Sequence, residues 1–346
     1  MRPARSLLMG IVSICVLTAP VVWAAKSLEI YFIDVEGGQS TLIVDPQGES
    51  LLIDTGWPDS NDRDADRIMA AAKAAGINHI DYLIITHYHS DHVGGVAQLA
   101  SRIEIENFAD HGLNAETTRE TSANYASYLR VIGQSHRVIV KPGDTLPFKG
   151  MRVQVLTSAR AEITEPLPGA DQPNLLCPTL LPAPADPSEN SQSVGVLIRY
   201  GQFRFIDLGD LTTRGELGLV CPRNLIGTVD LYLTTHHGTA HPGTGDSSNA
   251  REIVDALHPR VAIMNNGAIK GGHPVAWQIV HDSPGLQDLW QLHYSLMSDK
   301  DHNVAKQFIA NMDQNDDGHY IEVLARPDAT FTVVNSRNRF QKTYEK

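Results

Sequence analysis

The 346-residue sequence predicts an α/β (α+β) fold in which two β-sheets pack face to face and helices cover both outer faces. Three observations predict it. The chain opens, after an apolar leader, on three short strand-like runs separated by turn residues. A helical stretch, a buried apolar strand and another helix follow. From about residue 193 strands and helices return in a similar order, so the chain reads as two β-rich halves in one domain spanning 26–346.

The elements follow in order. "LEIYFIDV" (28–35) alternates apolar residues, and "STLIVD" (40–45) and "SLLIDTG" (50–56) continue an antiparallel start. Glu36-Gly37-Gly38 and Asp45-Pro46-Gln47-Gly48 supply the turns between them. "DADRIMAAAKAAG" (64–76) has helical spacing and stops at Gly76. "HIDYLIIT" (79–86) is a buried strand, and "VGGVAQLA" (93–100) begins a helix behind the loop that follows it. Residues 116–132 read as a helix, then "HRVIVKPG" (136–143) and "GMRVQVLT" (150–157) as strands. Residues 160–190 are rich in Pro, Ala and Asp and read as a long surface loop, a common place for substrate walls. "SVGVLIRYG" and "FRFIDLGD" make a second hairpin. "VDLYLTTHHG" is a strand ending in histidines, "NAREIVDALHP" a helix and "RVAIMNNG" a strand. Near the end, "DQNDDG" (313–318) resembles the start of a calcium loop, but its twelfth position is Leu324, where a Glu is needed, so it reads as a β-turn.

Residues 1–25 carry Arg2 and Arg5, an apolar core from Leu7 to Val22, and small residues at Ala24 and Ala25. That is the layout of a secretory signal peptide, so a periplasmic or secreted location is expected. No later segment is apolar enough to span a bilayer. Cys177 and Cys221 remain after the leader; an oxidising compartment permits a disulfide between them, and they could equally stay unpaired. Formal net charge is -12, and removing the two leader arginines makes it -14. An acidic chain without clustered Lys and Arg gives no strong nucleic-acid signal. A small-molecule or ester/phosphodiester substrate is the expected partner; the oligomeric state is open.

The chemistry concentrates in "LIITHYHSDHVGG" (83–95), where His87, His89, Asp91 and His92 form H-x-H-x-D-H directly after an apolar strand. His87 and His89, two apart, lie on one side of an extended loop, and Asp91 and His92 follow where the chain turns toward Gly94 and Gly95. Imidazole and carboxylate ligands in this pattern suit Zn²⁺, one ion or two, with Fe or Mn as alternatives.

This loop resembles the signature of the metallo-β-lactamase superfamily. "FIDVEGGQSTLIVDPQGESLLIDTG" is similar to the opening of the ComEC-type metallo-β-lactamase domain and its stand-alone secreted relatives, although Glu36 and Gln39 depart from their pattern. "FIDLGDL", "TTHHGT" and "GGHP" match later motifs, in family order. The resemblance implies a four-layer αββα sandwich with the metals at one edge. It implies that His87 and His89 bind a first metal and Asp91 and His92 a second. Asp210 would bridge both, and one of His236 and His237 would bind the second. The two should point opposite ways on a strand, with His237, before a glycine, the preferred ligand and His236 beside it. Asp91 and His237 are also catalytic candidates, as is His273 in the G-H-P match, facing substrate. No histidine lies between His136 and Asp210, so the first metal lacks one expected ligand; Glu189, Asn190 and Ser191 occupy that stretch. Asp34 and Asp54 are expected to orient ligand histidines, and His111 and His241 are candidates to face substrate.

The implied activity is that of an exported hydrolase that uses a metal-activated water on an ester, phosphodiester or lactam-type bond. The alternatives are a β-lactamase and a non-catalytic metal-binding protein on the same fold.

Overall fold

The computed structural model describes residues 27–58, 60–133, 135–179, 186–241, 247–314 and 318–346. The leader at 1–25 and the middle of the acidic "DQNDDG" stretch lie outside them.

Two large sheets form the body. The first runs, edge to edge, through Gln341–Tyr344, Phe331–Asn335, Ile321–Ala325, Leu28–Phe32, Thr41–Val44, Ser50–Ile53, His79–Ile84, Glu104–Asp110 and His136–Ile139. Its opening strands pair antiparallel, as the turn signals predict, and pairing becomes parallel from Ser50–Ile53 onward, where a helix separates successive strands. The second runs through Ile309–Asn311, Asp288–His293, Val261–Met264, Leu231–Leu233, Phe203–Asp207, Gly195–Tyr200, Arg152–Ser158 and Thr145–Leu146. The two halves are not separate: the C-terminal strand Ile321–Ala325 returns to pair antiparallel with Leu28–Phe32.

The period-2 alternation sorts side chains between layers. Ile30, Phe32, Ile43 and Ile53 face Val153, Val196, Phe205 and Val261 in a core shared by both sheets. The residues between them turn outward. Tyr31, Leu42 and Leu52 pack with Ile68, Leu99 and Tyr128 from helices Arg63–Ala75, Val96–Ala100 and Arg119–Ile132. On the other side Leu197, Ile206 and Tyr232 pack with Leu219, Ile253 and Trp277 from helices Thr213–Val220, Arg251–Leu257 and Pro274–His281. The result is the αββα sandwich that the sequence predicts.

The helices stop and start by ordinary chemistry. Gly76 takes a left-handed conformation and its N–H caps the first long helix on Ala72 and Lys73 carbonyls. Thr118 caps Arg119–Ile132 by accepting from the Thr121 N–H. The described residues of the 160–190 region are mostly irregular, with Ala161–Glu162 and Gln172–Pro173 as short paired segments. Cys177 and Cys221 are joined in a disulfide with Cα atoms 5.6 Å apart, tying that region to the end of Thr213–Val220. Leu324 lies in strand Ile321–Ala325, so it cannot close a calcium loop. Among the described residues no helix is long and apolar enough to cross a membrane.

Candidate metal centre

The site lies where parallel strands of both sheets end. Strand His79–Ile84 runs out into Thr86, and an extended stretch carries His87 and His89. A four-residue helix, Ser90–Val93, then turns Asp91 and His92 inward. From the other sheet, strand Phe203–Asp207 delivers Asp210, and Leu231–Leu233 delivers His236 and His237. The strand stops at Leu233, so the expected alternation of the two histidines does not apply. Both sit in a tight turn with positive φ, 53° and 56°. In that turn both approach Asp210: its Oδ2 lies 3.4 Å from His236 Nε2 and 3.3 Å from His237 Nε2.

Asp91, His92, Asp210 and His237 form the core of the site. One ligand atom from each lies within 4.8 Å of all the others, and all four residues are buried. His92 Nε2 is 3.2 Å from Asp210 Oδ2, and His237 Nε2 is 3.2 Å from Asp91 Oδ2. His87 and His89 stand beside this core. His87 Nε2 is 4.0 Å from Asp210 Oδ2 and 3.1 Å from His89 Nδ1, while His89 Nε2 faces Glu116 Oε1 at 3.1 Å.

This donor set fits a divalent ion. Imidazoles and carboxylates converge with their ligand atoms inward, and Asp210 Oδ1 is buried without any hydrogen-bond partner. Asp54 accepts from His92 Nδ1 at 2.7 Å, which leaves the Nε2 lone pair of the neutral ring turned to the cluster. The Asn265 side-chain Nδ2 lies 3.2 Å from His237 Nδ1 and holds that ring in place. His92 would hold the ion with Asp91, Asp210 and His237, and His87 and His89 lie where a second would be held.

Charge balance agrees. Burial would raise the Asp210 and Asp91 carboxyls, but neighbouring cations and imidazoles hold both well below the usual range: His236, His237 and His92 for Asp210, and Lys270 and His92 for Asp91. Burial, with His92 and His89 beside it, keeps the His87 imidazole well below its ordinary value and so neutral, the form that binds metal. Burial pulls His92 down too, but Asp210, Asp91 and Asp54 outweigh it and hold its proton above the ordinary value. An ion must displace that proton.

The frame is tight. Gln39 N donates to the Asp91 carbonyl at 3.0 Å, and a Cβ on Gly38 would come within 2.4 Å of the same oxygen. Gln39 also donates its side-chain amide to Asp207, 3.0 and 3.1 Å from the two oxygens, so the residue that departs from the family pattern braces the two sheets at the site. Gly271, at φ 69°, lets its loop pass the His237 carbonyl, which a Cβ would approach to 2.2 Å.

Other predicted residues fall elsewhere. His273 is outside the four-residue core. It caps Pro274–His281, its N–H donates to the Gly238 carbonyl, and its ring meets that of His241 at 4.6 Å. Burial and His241 pull its imidazole below the ordinary value. Asp54 orients a ligand histidine as expected, but Asp34 does not. Asp34 accepts from His293 Nε2 at 2.7 Å and from Arg67 at 2.5 Å, because strand Leu28–Phe32 ends against His293 rather than the ligand loop. His111 is engaged within the fold. It is buried and donates to Glu189 at 3.0 Å. The same Glu189 oxygen accepts from the Tyr88 N–H at 3.0 Å, between His87 and His89, so Glu189 pins the ligand loop from the stretch that lacks a histidine.

Sequence reasoning missed Lys270, Glu116 and Asn265. Lys270 contacts the Asp91 carboxylate and lies over the Trp57 ring at 4.9 Å. Its three-residue distance from His273 was the available signal. Glu116 reads in sequence as an acid opening a helix, and Asn265 as the end of a strand.

Residues 33–172 match the sequence model of the family described as Metallo-beta-lactamase superfamily. ComE operon protein 3 of Bacillus subtilis (strain 168) is 25% identical over 255 residues, covering 69% of this chain and 28% of that protein. A hydroxyacylglutathione hydrolase of Rhodopseudomonas palustris (strain BisB5) is 36% identical over 80 residues, 23% of this chain and 31% of that protein. The chain thus matches less than a third of the length of either relative. Among solved structures, the metallo-beta-lactamase fold protein YhfI from Bacillus subtilis aligns at TM-score 0.48 and 11% identity, over 85% of this chain and all (100%) of that one.

Proposed function

We propose that this chain, whose residues 33–172 match the metallo-β-lactamase superfamily model, is a metal-dependent hydrolase exported from the cytoplasm and acting on an ester or phosphodiester bond. One observation carries the reading: Asp91, His92, Asp210 and His237 place one ligand atom each within 4.8 Å of the others, with Asp210 Oδ1 unpartnered. The match of residues 33–172 to that superfamily's model and the hydrolase name of one relative support it. Export rests on the residues 1–25 pattern, and the Cys177–Cys221 disulfide suits an oxidising compartment.

The division of labour follows from the geometry. A divalent ion in such a site supplies Lewis acidity and lowers the pKa of water. Asp54 and Asn265 fix the imidazoles, so the donors are set before substrate arrives. Asp91 is placed both to ligate and to orient an attacking water. His236, outside the four-residue core and with its Nε2 3.4 Å from Asp210 Oδ2, is placed to hand a proton to a leaving group. Zinc is the preferred ion by donor type, with iron or manganese as alternatives.

The test is metal analysis of purified protein followed by turnover of bis-p-nitrophenyl phosphate, a lactone and nitrocefin. Chelator-sensitive turnover of a phosphodiester or lactone is expected. Turnover of nitrocefin alone would make it a β-lactamase. Bound metal without turnover of any would leave a metal-binding protein.

A further inference from the structure

A cleft of about 930 Å³ opens beside Asp91, lined by Trp57, Arg63, Arg67, Lys270 and the carboxylates of Glu36 and Glu120, among others. Three cations face two carboxylates there. Arg63 is held by Asp64 at 2.6 Å, and Arg67 by Asp34 at 2.5 Å and Glu36 at 3.4 Å. Neither Asp64 nor Asp34 belongs to the metal core. Lys270 differs. Its partner is Asp91, through the same Oδ2 that lies 3.2 Å from His237 Nε2 and 3.4 Å from His92 Nε2. The oxygen offered to an ion is therefore also the oxygen that neutralises Lys270.

An ammonium and a divalent ion on one carboxylate oxygen repel each other strongly at such short range. An ion with four converging ligands would displace the ammonium. Lys270 is on an irregular segment between strand Val261–Met264 and helix Pro274–His281, its side chain is about one-third exposed at 32%, and the Trp57 face gives a cation a surface to rest on. Turned out along Trp57, it becomes a positive charge in the cleft, next to the metal core and without its carboxylate.

We propose that Lys270 exchanges partners: it guards Asp91 until the ion binds and then receives an anionic group of the substrate in the Trp57-lined cleft. This rests on the hydrolase reading and narrows it to substrates that carry a carboxylate or phosphate beside the bond that is cut. The same Lys270 makes the site selective against neutral esters, which would leave the displaced ammonium unpaired.

Two measurements on the full chain test this. Zn²⁺ affinity is measured by competition with a chromophoric chelator. Inorganic phosphate binding to the zinc-loaded protein, dialysed free of excess ion, is measured by calorimetry. Lys270→Met should bind Zn²⁺ several-fold more tightly and phosphate about tenfold more weakly, the size expected for losing one charged hydrogen bond. Lys270→Arg should keep most of the phosphate affinity. Unchanged phosphate affinity in Lys270→Met overturns the proposal, and so does weaker Zn²⁺ binding, which would mean that Lys270 helps build the site. Neither readout needs turnover. A protein that shows the expected pattern but hydrolyses nothing refutes the hydrolase reading and keeps the exchange. One that hydrolyses esters while its phosphate affinity ignores Lys270 does the reverse.

Discussion

Asp54 accepts a 2.7 Å hydrogen bond from His92 Nδ1, and neither side chain has solvent contact. The same carboxylate accepts from the Thr86 N–H at 2.8 Å and the Thr86 hydroxyl at 2.7 Å. One side chain, at φ 62° just past strand Ser50–Ile53, thus holds both the start of the ligand loop and the tautomer of a ligand. Asp54→Ala should lower metal affinity by about 10- to 100-fold. Chelator competition on folded variant checks it; wild-type affinity would mean that Asp54 only shapes the turn.

Glu189 takes the Tyr88 and His111 hydrogens on one oxygen and the Ala115 N–H on the other. Burial alone would raise its carboxyl, yet His111 and these N–H groups hold it below the usual range. Its stabilising effect is therefore present above the unfolded glutamate value and lost as pH falls. Glu189→Gln turns an amide NH₂ toward an N–H group and should cost about 2 kcal/mol. Denaturant melts at pH 7 read this directly, and the difference from wild type should shrink toward pH 4.

The Asp34–His293 pair gives a second pH signature, outside the Asp91, His92, Asp210 and His237 core. Burial lowers His293, but Asp34 and Glu36 more than offset it and raise the imidazole above its ordinary value. Burial raises Asp34, but His293 and Arg67 more than offset it and lower the carboxyl. The histidine's contribution is complete below about pH 6.5 and is lost as pH rises through its folded value; the aspartate's is complete above about pH 4 and is lost in acid. Stability from this pair should therefore peak between about pH 4 and 6.5. His293→Gln should flatten the alkaline limb of a stability–pH curve while leaving metal affinity unchanged. An unaltered limb would mean that the pair does not titrate with folding.

The disulfide links residues 44 apart. By chain entropy such a loop constrains the unfolded state by about 4 kcal/mol. Cys177→Ser with Cys221→Ser should lower the thermal midpoint by several degrees without altering metal content, which thermal melts and metal analysis check together.

Much of this was legible in sequence because two periodicities carried it. Alternation in "LEIYFIDV" and "SVGVLIRYG" marked strands whose faces split between the inter-sheet core and an outer helical layer. H-x-H-x-D-H marked the ligand loop because an extended pair followed by a helical turn is a local geometry. The return of Ile321–Ala325 to Leu28–Phe32 was not legible, since long-range pairing leaves no local pattern. The His236–His237 turn was misread because two left-handed residues after a three-residue strand look like two more strand positions. Asp34 and Asp54 each end an apolar run, and only the tertiary neighbour, His293 or His92, distinguishes them.

Metal bound per chain, wild type against Asp210→Ala, tests the central claim most directly. Purified wild type exposed to Zn²⁺ and dialysed should retain one or two ions. Asp210→Ala, stripped of the carboxylate that His92, His236 and His237 all approach, should retain fewer, with its folded state confirmed by circular dichroism. A wild type that holds no ion, or a folded Asp210→Ala that holds as many, would contradict the account.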